Sequence, residues 1–232
     1  ILVNGYRIFI KKIEIDINLN NVKANEFLEM KYNYVCSTPS DINEHLPTLY
    51  KYALKCDSIL ELGVRGCVSS WAFLKGLQDN KNGNERKSLF LNDIEECNMS
   101  DLLNVSRDLN INADYKWIND LKLDFKERTF DLTFIDTWHI YGQLKRELTK
   151  FSLLTNKYII LHDTTVDAIK GETIRLGLDS KKQSVESGYP IEEIECGLQK
   201  AINEFLFVNR EWRQKEIFQN NNGLTVLERI FK

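Results

Sequence analysis

The sequence lacks any apolar run approaching the ~20 residues that an α-helix needs to cross a bilayer. No secretory signal is visible either. It also lacks a basic excess, because 31 lysines and arginines stand against 34 acidic residues, so no overall positive field favours nucleic acid. We therefore expect a cytoplasmic protein whose partners include neither a membrane nor a nucleic acid.

Paired cysteines are missing as well. The five cysteines are odd in number and include no CxxC pair. This count argues against a disulfide framework and against a zinc site, and favours reduced thiols. Cys67 lies in a glycine-containing turn, where a small residue fits, so we expect it to pack rather than to act as a nucleophile.

Short apolar runs alternate with amphipathic segments along most of the 232 residues. The strand candidates are 58–63, 89–93, 114–118, 130–136, 157–163 and 224–230, and the helix candidates are 69–78, 99–109, 141–154 and 197–208. Strands that alternate with helices predict an α/β fold with a doubly wound, mostly parallel sheet and helices on both faces. One domain of this kind is ordinary at this length.

Two segments lie outside this alternation. Residues 1–37 are predicted to be an N-terminal extension, extended or hairpin-like, because Ile13 to Ile17 alternate with period two. Such an extended segment could pair between chains, which leaves a homo-oligomer open.

Residues 38–232 form the predicted α/β domain. Within it, residues 164–196 contain glycines without a clear apolar period and are predicted to be a mobile, lid-like insertion over a site.

Acidic residues close four of the predicted strands, namely Glu61, Asp93, Asp136 and Asp163. In an open parallel sheet, ligands bind beyond the carboxyl ends of the strands. Gly63 and Gly66 follow the first of these strands, and glycines let a backbone turn sharply and approach a ligand closely. These placements predict a site at the strand ends. The turn is not GxGxxG, so the dinucleotide fingerprint is incomplete, and the glycines alone fit a tight turn without ligand equally well.

The segment 61–70, Glu-Leu-Gly-Val-Arg-Gly-Cys-Val-Ser-Ser, resembles motif I of the class I S-adenosylmethionine (SAM)-dependent methyltransferases. The resemblance implies a seven-stranded Rossmann-like sheet and SAM as the cofactor. It also implies that Asp93 bonds the ribose hydroxyls and that Asp120 borders the adenine. The donor-binding residues expected on this basis are Glu61, Gly63, Arg65, Gly66, Ser69, Asp93, Asp120 and Asp136. For Arg65, an ordinary surface position remains open.

Two of the three histidines stand beside aspartates just past predicted strands: His139 follows Asp136, and His162 precedes Asp163. Because consecutive parallel strands are often neighbours, these four residues are expected to converge. A hydroxyl does not ionise readily near neutral pH. A histidine can remove its proton as a general base, and a divalent cation can polarise it. Carboxylate oxygens suit Mg²⁺ in particular.

The segments 134–141 and 161–164 resemble the cephalosporin-hydroxylase-like and macrolide-sugar O-methyltransferases. This resemblance implies that Asp136 binds magnesium and that His139 is the base, with Asp136, His162 and Asp163 as metal ligands. The sugar enzymes carry an acidic pair where this chain has His162-Asp163. Three alternatives follow: His162 replaces a carboxylate, the site is weaker, or no metal binds. Purely structural roles also remain open. Asp136 and Asp163 could be helix N-caps, His162 could bond a backbone carbonyl, and His139 could be a surface residue at the start of a helix.

The sequence thus predicts a SAM-dependent O-methyltransferase with Mg²⁺ assistance and His139 and Asp136 as catalytic residues. The predicted acceptor is a small polyhydroxylated molecule such as a sugar or glycan. Two alternatives remain. An NAD-dependent oxidoreductase would use a related sheet, although the incomplete glycine fingerprint disfavours it. A non-catalytic binding module could share the methyltransferase fold.

Overall fold

A computed structural model describes residues 2–3, 6–7, 17–81 and 86–231. The chain divides into two compact units, Ile1–Ile118 and Asn119–Lys232. A seven-stranded, mostly parallel sheet flanked by helices confirms the predicted α/β fold class. In the described part of the chain, no helix combines the length and the apolar character needed to cross a membrane.

The first unit contains five strands and four α-helices among its described residues. The strands are β1 (Leu2–Val3), β2 (Tyr6–Arg7), β3 (Ser58–Leu62), β4 (Ser88–Asp93) and β5 (Asn112–Trp117), and the helices are α1 (Ile17–Ser37), α2 (Leu46–Ala53), α3 (Val68–Asp79) and α4 (Ser100–Asp108). A 3₁₀ turn, Asn43–His45, precedes α2. The strands β5, β4 and β3 pair in parallel in that order.

The strands β3 and β4 are apolar because both of their faces are covered. Ile59, Leu60 and Leu62 of β3 are fully buried, as are Leu89 and Leu91 of β4. Such near-continuous apolar runs are typical of parallel strands packed on both faces. The register pairs residue 62 with residue 92. The two strands therefore end side by side, with Gly63 after one and Asp93 closing the other.

The predicted extended N-terminal segment is wrong for residues 17–37, which form α1. Ala24, Phe27 and Leu28 of this helix are buried, and α1 packs against α3 and α4. This spacing of three and four residues is a helical period, which outweighs the alternation seen just before it. Of the alternating stretch itself, residues 13–16 lie outside the described residues. The strands β1 and β2 pair antiparallel, and the proposed boundary after residue 37 stays a prediction.

The second unit contains four strands and five α-helices among its described residues. The strands are β6 (Phe130–Ile135), β7 (Thr155–His162), β8 (Trp212–Phe218) and β9 (Leu224–Arg229), and the helices are α5 (Tyr141–Phe151), α6 (Glu172–Arg175), α7 (Ser180–Ser187), α8 (Ile191–Glu195) and α9 (Leu198–Val208). The order is β6-β7-β9-β8. The pair β6–β7 is parallel, whereas β9 runs antiparallel to both β7 and β8.

Two parts of the second unit differ from the sequence prediction. The strand β8 was not predicted, because it is a polar edge strand in which Trp212 alone is buried. The segment 164–196 is not an irregular loop, since it contains the short helices α6, α7 and α8. No residue of α7 is buried, which explains why the segment shows no apolar period. Its lid function stays a prediction.

Candidate functional site

In the first unit, the turn after β3 is held by the end of β4. Gly63 has φ 85°, and Arg65 and Cys67 also have positive φ values of 35° and 60°. Asp93 Oδ2 accepts hydrogen bonds from the backbone N–H groups of Val64, at 3.0 Å, and Arg65, at 2.8 Å. The structure therefore brings the predicted glycine turn and the predicted ribose-binding aspartate together. A carboxylate on two backbone donors fixes an otherwise strained turn.

Glu61 and Ser69 face each other beneath this turn. Glu61 is fully buried, and the Ser69 hydroxyl donates a hydrogen bond to Glu61 Oε1. This contact links the end of β3 to the first turn of α3. Cys67 is also buried, and burial raises the pKa of its thiol to about 12. A thiol with that pKa stays protonated near neutral pH, which supports the predicted packing role.

Arg65 and Gly66 differ in what they offer a ligand. The Arg65 side chain is 83% exposed and pairs with Asp41 at 2.5 Å. The guanidinium thus forms an ion pair at the surface. This agrees with the ordinary surface position that the sequence left open for Arg65. A Cβ atom added at Gly66 would meet no atom within 4 Å, so open space lies beside the turn at that position.

In the second unit, Asp120 begins a 3₁₀ turn and joins a buried hydrogen-bond network that includes two side chains of α5. Asp120 Oδ1 accepts a 3.1 Å hydrogen bond from the Gln143 amide, which also donates to Glu147 at 2.8 Å. The Tyr189 hydroxyl donates to Gln143 Oε1 at 2.9 Å. Burial raises the pKa of Asp120 and that of Glu147, and the nearby Asp120 charge raises the pKa of Glu147 further. Gln143 and Glu147 were not predicted; their i, i+4 spacing on the buried stripe of α5 was the available signal.

The four acidic and imidazole residues predicted after β6 and β7 converge. His139 Nε2 lies 3.0 Å from Asp136 Oδ1, and His139 Nδ1 lies 3.1 Å from Asp163 Oδ2. His162 Nδ1 approaches the same Asp136 oxygen at 3.2 Å. The parallel register, which pairs residue 135 with residue 161, explains this meeting because both strands end at one level.

The aspartates control the charge on His139. Burial by itself lowers the pKa of His139, but the neighbouring carboxylates of Asp136, Asp167 and Asp163 outweigh it and raise the pKa well above 6.5. Burial likewise raises the pKa of Asp136, yet hydrogen bonds from His139 and His162 hold it below its usual range. The surrounding carboxylates therefore favour the protonated form of His139.

The cluster has the donors that a hard divalent cation requires. Asp136, His139 and Asp163 each present one ligand atom, and these atoms lie within 4.8 Å of one another. Asp163 Oδ1 is buried and has no hydrogen-bond partner among the described residues. An unsatisfied buried carboxylate oxygen beside a second carboxylate fits Mg²⁺, which is commonly bound by one or two carboxylates plus waters.

The third predicted ligand, His162, differs from this grouping. Its side chain is buried, with Nδ1 at 3.2 Å from Asp136 and Nε2 at 3.3 Å from the Asn221 carbonyl oxygen. Both ring nitrogens thus have contacts within the fold. The close grouping contains His139 rather than His162. The role of His162 as a metal ligand stays a prediction.

Three residues of the segment 164–196 reach the same imidazole. Asp167 and Glu172 each place a carboxylate oxygen 3.5 Å from His139 Nδ1. Arg175 donates two hydrogen bonds to Asp167, at 2.6 and 2.8 Å. None of the three was predicted from the sequence. The one available signal was that Asp167 follows Asp163 by four residues.

No protein family model matches the chain, and no curated protein matches its sequence. Solved structures match its fold. The O-methyltransferase TomG from Streptomyces achromogenes, solved with SAM, is 14% identical, with 95% of this chain and 92% of that chain covered and a TM-score of 0.50. A methyltransferase from Geobacter sulfurreducens is 15% identical, with 94% and 91% covered and a TM-score of 0.50. Cofactor-bound Rv0187 from MTB is 11% identical, with 90% and 91% covered and a TM-score of 0.51.

At these identities the likeness concerns the fold. The seven-stranded, mostly parallel sheet flanked by helices agrees with the resemblance stated for the sequence. The chain therefore has the α/β fold of the class I methyltransferases.

Proposed function

We propose that this chain is a SAM-dependent O-methyltransferase. The observation that carries the proposal is the convergence of Asp136, His139 and Asp163 directly after two parallel strands, in a chain with a methyltransferase fold. Ligands of open α/β sheets bind at these strand ends. A carboxylate–imidazole cluster there is the machinery that a hydroxyl acceptor needs.

The donor would bind at the turn after β3. Gly63 and Gly66 carry no side chains, and open space lies beside the turn at Gly66. Asp93 supplies a carboxylate beside the same turn. In this proposal Asp93 bonds the ribose hydroxyls, and Asp120 takes the adenine side as the resemblance implies. Glu61 and Ser69 support the turn from beneath. Arg65 contributes backbone rather than side chain, because its guanidinium pairs with Asp41.

The proposed reaction moves one methyl group and one proton. The acceptor oxygen forms a bond to the methyl carbon while the sulfur–methyl bond breaks, and the electron pair returns to sulfur to give neutral S-adenosylhomocysteine (SAH). The hydroxyl proton passes to His139 Nε2, which must then be unprotonated. A divalent cation held by Asp136 and Asp163 would polarise the hydroxyl and offset the carboxylate charges that raise the pKa of His139.

The acceptor class follows from the second resemblance, which implies a small polyhydroxylated molecule such as a sugar. One feature of the fold supports an aromatic wall near the cluster. Trp138, which precedes His139, stacks on Tyr189 with ring centroids 5.9 Å apart and an interplanar angle of 14°. Aromatic faces bury the apolar ring faces of sugars while polar tips bond the hydroxyls.

Binding and turnover test this proposal separately. Calorimetry with SAH is expected to show binding, whereas NAD gives none. Transfer of labelled methyl from SAM to a panel of monosaccharides and glycosides is expected to require Mg²⁺ and to be lost in His139→Ala. His45→Ala is the matched control, since His45 lies on the 3₁₀ turn before α2. Binding of NAD but not SAH would overturn the proposal in favour of an oxidoreductase. SAH binding without turnover on any acceptor would favour a binding module.

A further inference from the structure

Asp163, a proposed cation ligand, has a backbone conformation that is rare for a residue with a side chain. Its φ is 56°, in the left-handed region, directly after β7 ends at His162. Residues other than glycine rarely adopt positive φ, although aspartate does so more readily than most. Such conformations persist where the surrounding structure imposes them, and they cluster at functional sites. We therefore looked for the contacts that impose this one.

The turn between β8 and β9 supplies these contacts. The antiparallel register pairs His162 with Leu224, so the residues that follow β7 lie beside the residues that precede β9. The Asn222 carbonyl accepts the backbone N–H groups of Thr165 and Val166, both at 3.0 Å. One carbonyl of the turn thus holds the bend in the chain that follows β7.

Thr164, which directly follows Asp163, is held from the same side. Its backbone N–H donates to the Gly223 carbonyl at 3.4 Å, and its hydroxyl accepts a 2.9 Å hydrogen bond from the Thr225 hydroxyl. Both threonines are buried. Hydrogen bonds are stronger in such surroundings than in water. The backbone and the side chain next to Asp163 are therefore both fixed by β9 and the turn before it.

Gly223 is the residue that lets this turn come so close. A Cβ atom added at Gly223 would overlap the Thr165 hydroxyl and lie 2.5 Å from the Thr165 backbone nitrogen. Gly223 has φ 98°, and Asn221 and Asn222 before it have φ 44° and 69°. Glycine and asparagine are the residues that tolerate this region best, and glycine alone permits so close an approach of two backbones. The residue types of the turn therefore match its contact with the bend after β7.

This bend determines where the Asp163 carboxylate points. Its Oδ2 atom lies 3.1 Å from His139 Nδ1, and its Oδ1 atom is buried without a hydrogen-bond partner among the described residues. At Oδ1 no described donor orients the carboxylate, so its direction depends on the backbone that carries it. Ligand sets of functional sites must be held to within about 0.5 Å. A backbone held from outside the cluster meets this requirement.

We propose that the turn 221–223, through the close approach of Gly223 to Thr165, is the positioning element that aims the Asp163 carboxylate at a divalent cation. The inference rests on the proposed function for the presence of that cation. The backbone contacts themselves require no ligand. They also give the antiparallel end of the sheet a task at the cluster, because the turn joins β8 to β9.

Gly223→Ala in the full chain tests this positioning through the affinity for Mn²⁺, measured by electron paramagnetic resonance of the free ion. The variant is expected to bind Mn²⁺ roughly 10-fold more weakly, as is typical when an outer partner of a metal ligand is lost. Gly188→Ala is the matched control, because Gly188 has a left-handed φ of 76° but leaves an added Cβ in open space. It is expected to keep the parent affinity. Equal affinity losses in the two variants, or no loss in Gly223→Ala, would overturn the inference.

Hydrogen exchange without metal separates positioning from a general loss of structure. In Gly223→Ala, the amides of Thr165 and Val166 are expected to exchange faster than in the parent, while the amides of β7 keep their protection. Faster exchange with an unchanged Mn²⁺ affinity would reduce the turn to a structural contact and refute the proposal. Should Gly223→Ala fail to fold, Thr225→Val keeps a branched side chain and removes the hydrogen bond to Thr164. That variant is expected to bind Mn²⁺ more weakly, and an unchanged affinity there also refutes the proposal.

Calorimetry with SAH on the same samples separates this inference from the proposed function. The donor turn at Gly63 belongs to the first unit, so SAH affinity is expected to be the same in Gly223→Ala and in the parent. Absent SAH binding, with a Mn²⁺ affinity that still falls in Gly223→Ala, would sink the methyltransferase proposal while the positioning of Asp163 stands. A parent that binds SAH but not Mn²⁺ would overturn the inference and leave the donor site in place.

Discussion

Asp93 accepts a 2.8 Å hydrogen bond from the backbone N–H of Arg65, 28 residues earlier in the chain. The end of β4 thereby fixes the turn that follows β3. The contact uses Asp93 Oδ2, while Oδ1 accepts the backbone N–H of Glu95 at 2.9 Å. The proposed ribose-binding carboxylate is thus held in place from both sides before any ligand arrives. Such preorganisation lowers the entropic cost of binding a ligand.

The first prediction concerns this carboxylate. Asp93→Asn is expected to weaken SAH binding by about 10-fold or more, because an amide accepts hydrogen bonds less strongly than a carboxylate. Unfolding stability is expected to fall by about 1–3 kcal/mol, the usual effect of losing hydrogen bonds to a charged group. Calorimetry and urea unfolding measure the two effects. Asp114→Asn, on the exposed part of β5, is the control; SAH affinity equal in both variants would contradict the donor role.

The second prediction concerns Gly63, whose φ of 85° disfavours any side chain. Gly63→Ala is expected to cost about 1 kcal/mol of stability through backbone strain and to reduce SAH affinity strongly. The matched control is Gly188→Ala, because Gly188 has φ 76° and open space for a Cβ. That variant is expected to lose similar stability but to bind SAH normally. Equal affinity losses in the two variants would show that strain, rather than ligand contact, is responsible.

The third prediction concerns the cation. Asp163→Asn and Asp136→Asn are each expected to weaken binding of Mn²⁺, used as a paramagnetic substitute for Mg²⁺, by roughly 10-fold or more. Electron paramagnetic resonance of free Mn²⁺ gives the affinity. Asp131→Asn is the control, since Asp131 pairs with Lys157 at 3.0 Å and lies outside the cluster. A parent protein that binds Mn²⁺ no better than Asp136→Asn would exclude a metal site at this cluster.

Much of the site was predictable because strand ends are encoded locally. Apolar runs that end near Glu61, Asp93, Asp136 and Asp163 locate the ends of β3, β4, β6 and β7. The parallel registers of β3 with β4 and of β6 with β7 then bring the ends of each pair side by side. His139 could be placed because it follows Asp136 by three residues within one turn. These inferences need only the periodicity of strands and the geometry of parallel sheets.

The remaining features depend on contacts between distant residues. Asp167 and Glu172 reach His139 from a segment whose short helices bury too few residues to leave a periodic signal. The Arg65 guanidinium pairs with Asp41, a residue distant in the chain that the local sequence does not identify as its partner. The helix α1 was missed because the alternation before it dominated the pattern. Tertiary contacts decided each of these outcomes.

The last prediction concerns Glu147 and pH. Burial, reinforced by the Asp120 charge, raises the pKa of Glu147 well above 4.5 in the folded chain. Because the folded pKa exceeds the unfolded one, the native state binds a proton that the unfolded chain releases. The stabilising contribution of this proton on Glu147 is fully present below pH 4.5 and is lost as pH rises through the folded pKa. Each unit of pKa difference corresponds to about 1.4 kcal/mol.

Glu147→Gln is expected to escape this loss, since a glutamine stays neutral and its carbonyl can still accept from Thr137 and Gln143. Urea unfolding between about pH 5 and about pH 9 should therefore show the variant gaining stability relative to the parent as pH rises. Glu186→Gln is the control, because Glu186 is exposed and pairs with Lys182 at 3.8 Å. A stability difference between Glu147→Gln and the parent that is constant across this range would mean that Glu147 is ionised in the fold. The buried network would then need another proton or a cation to balance Asp120.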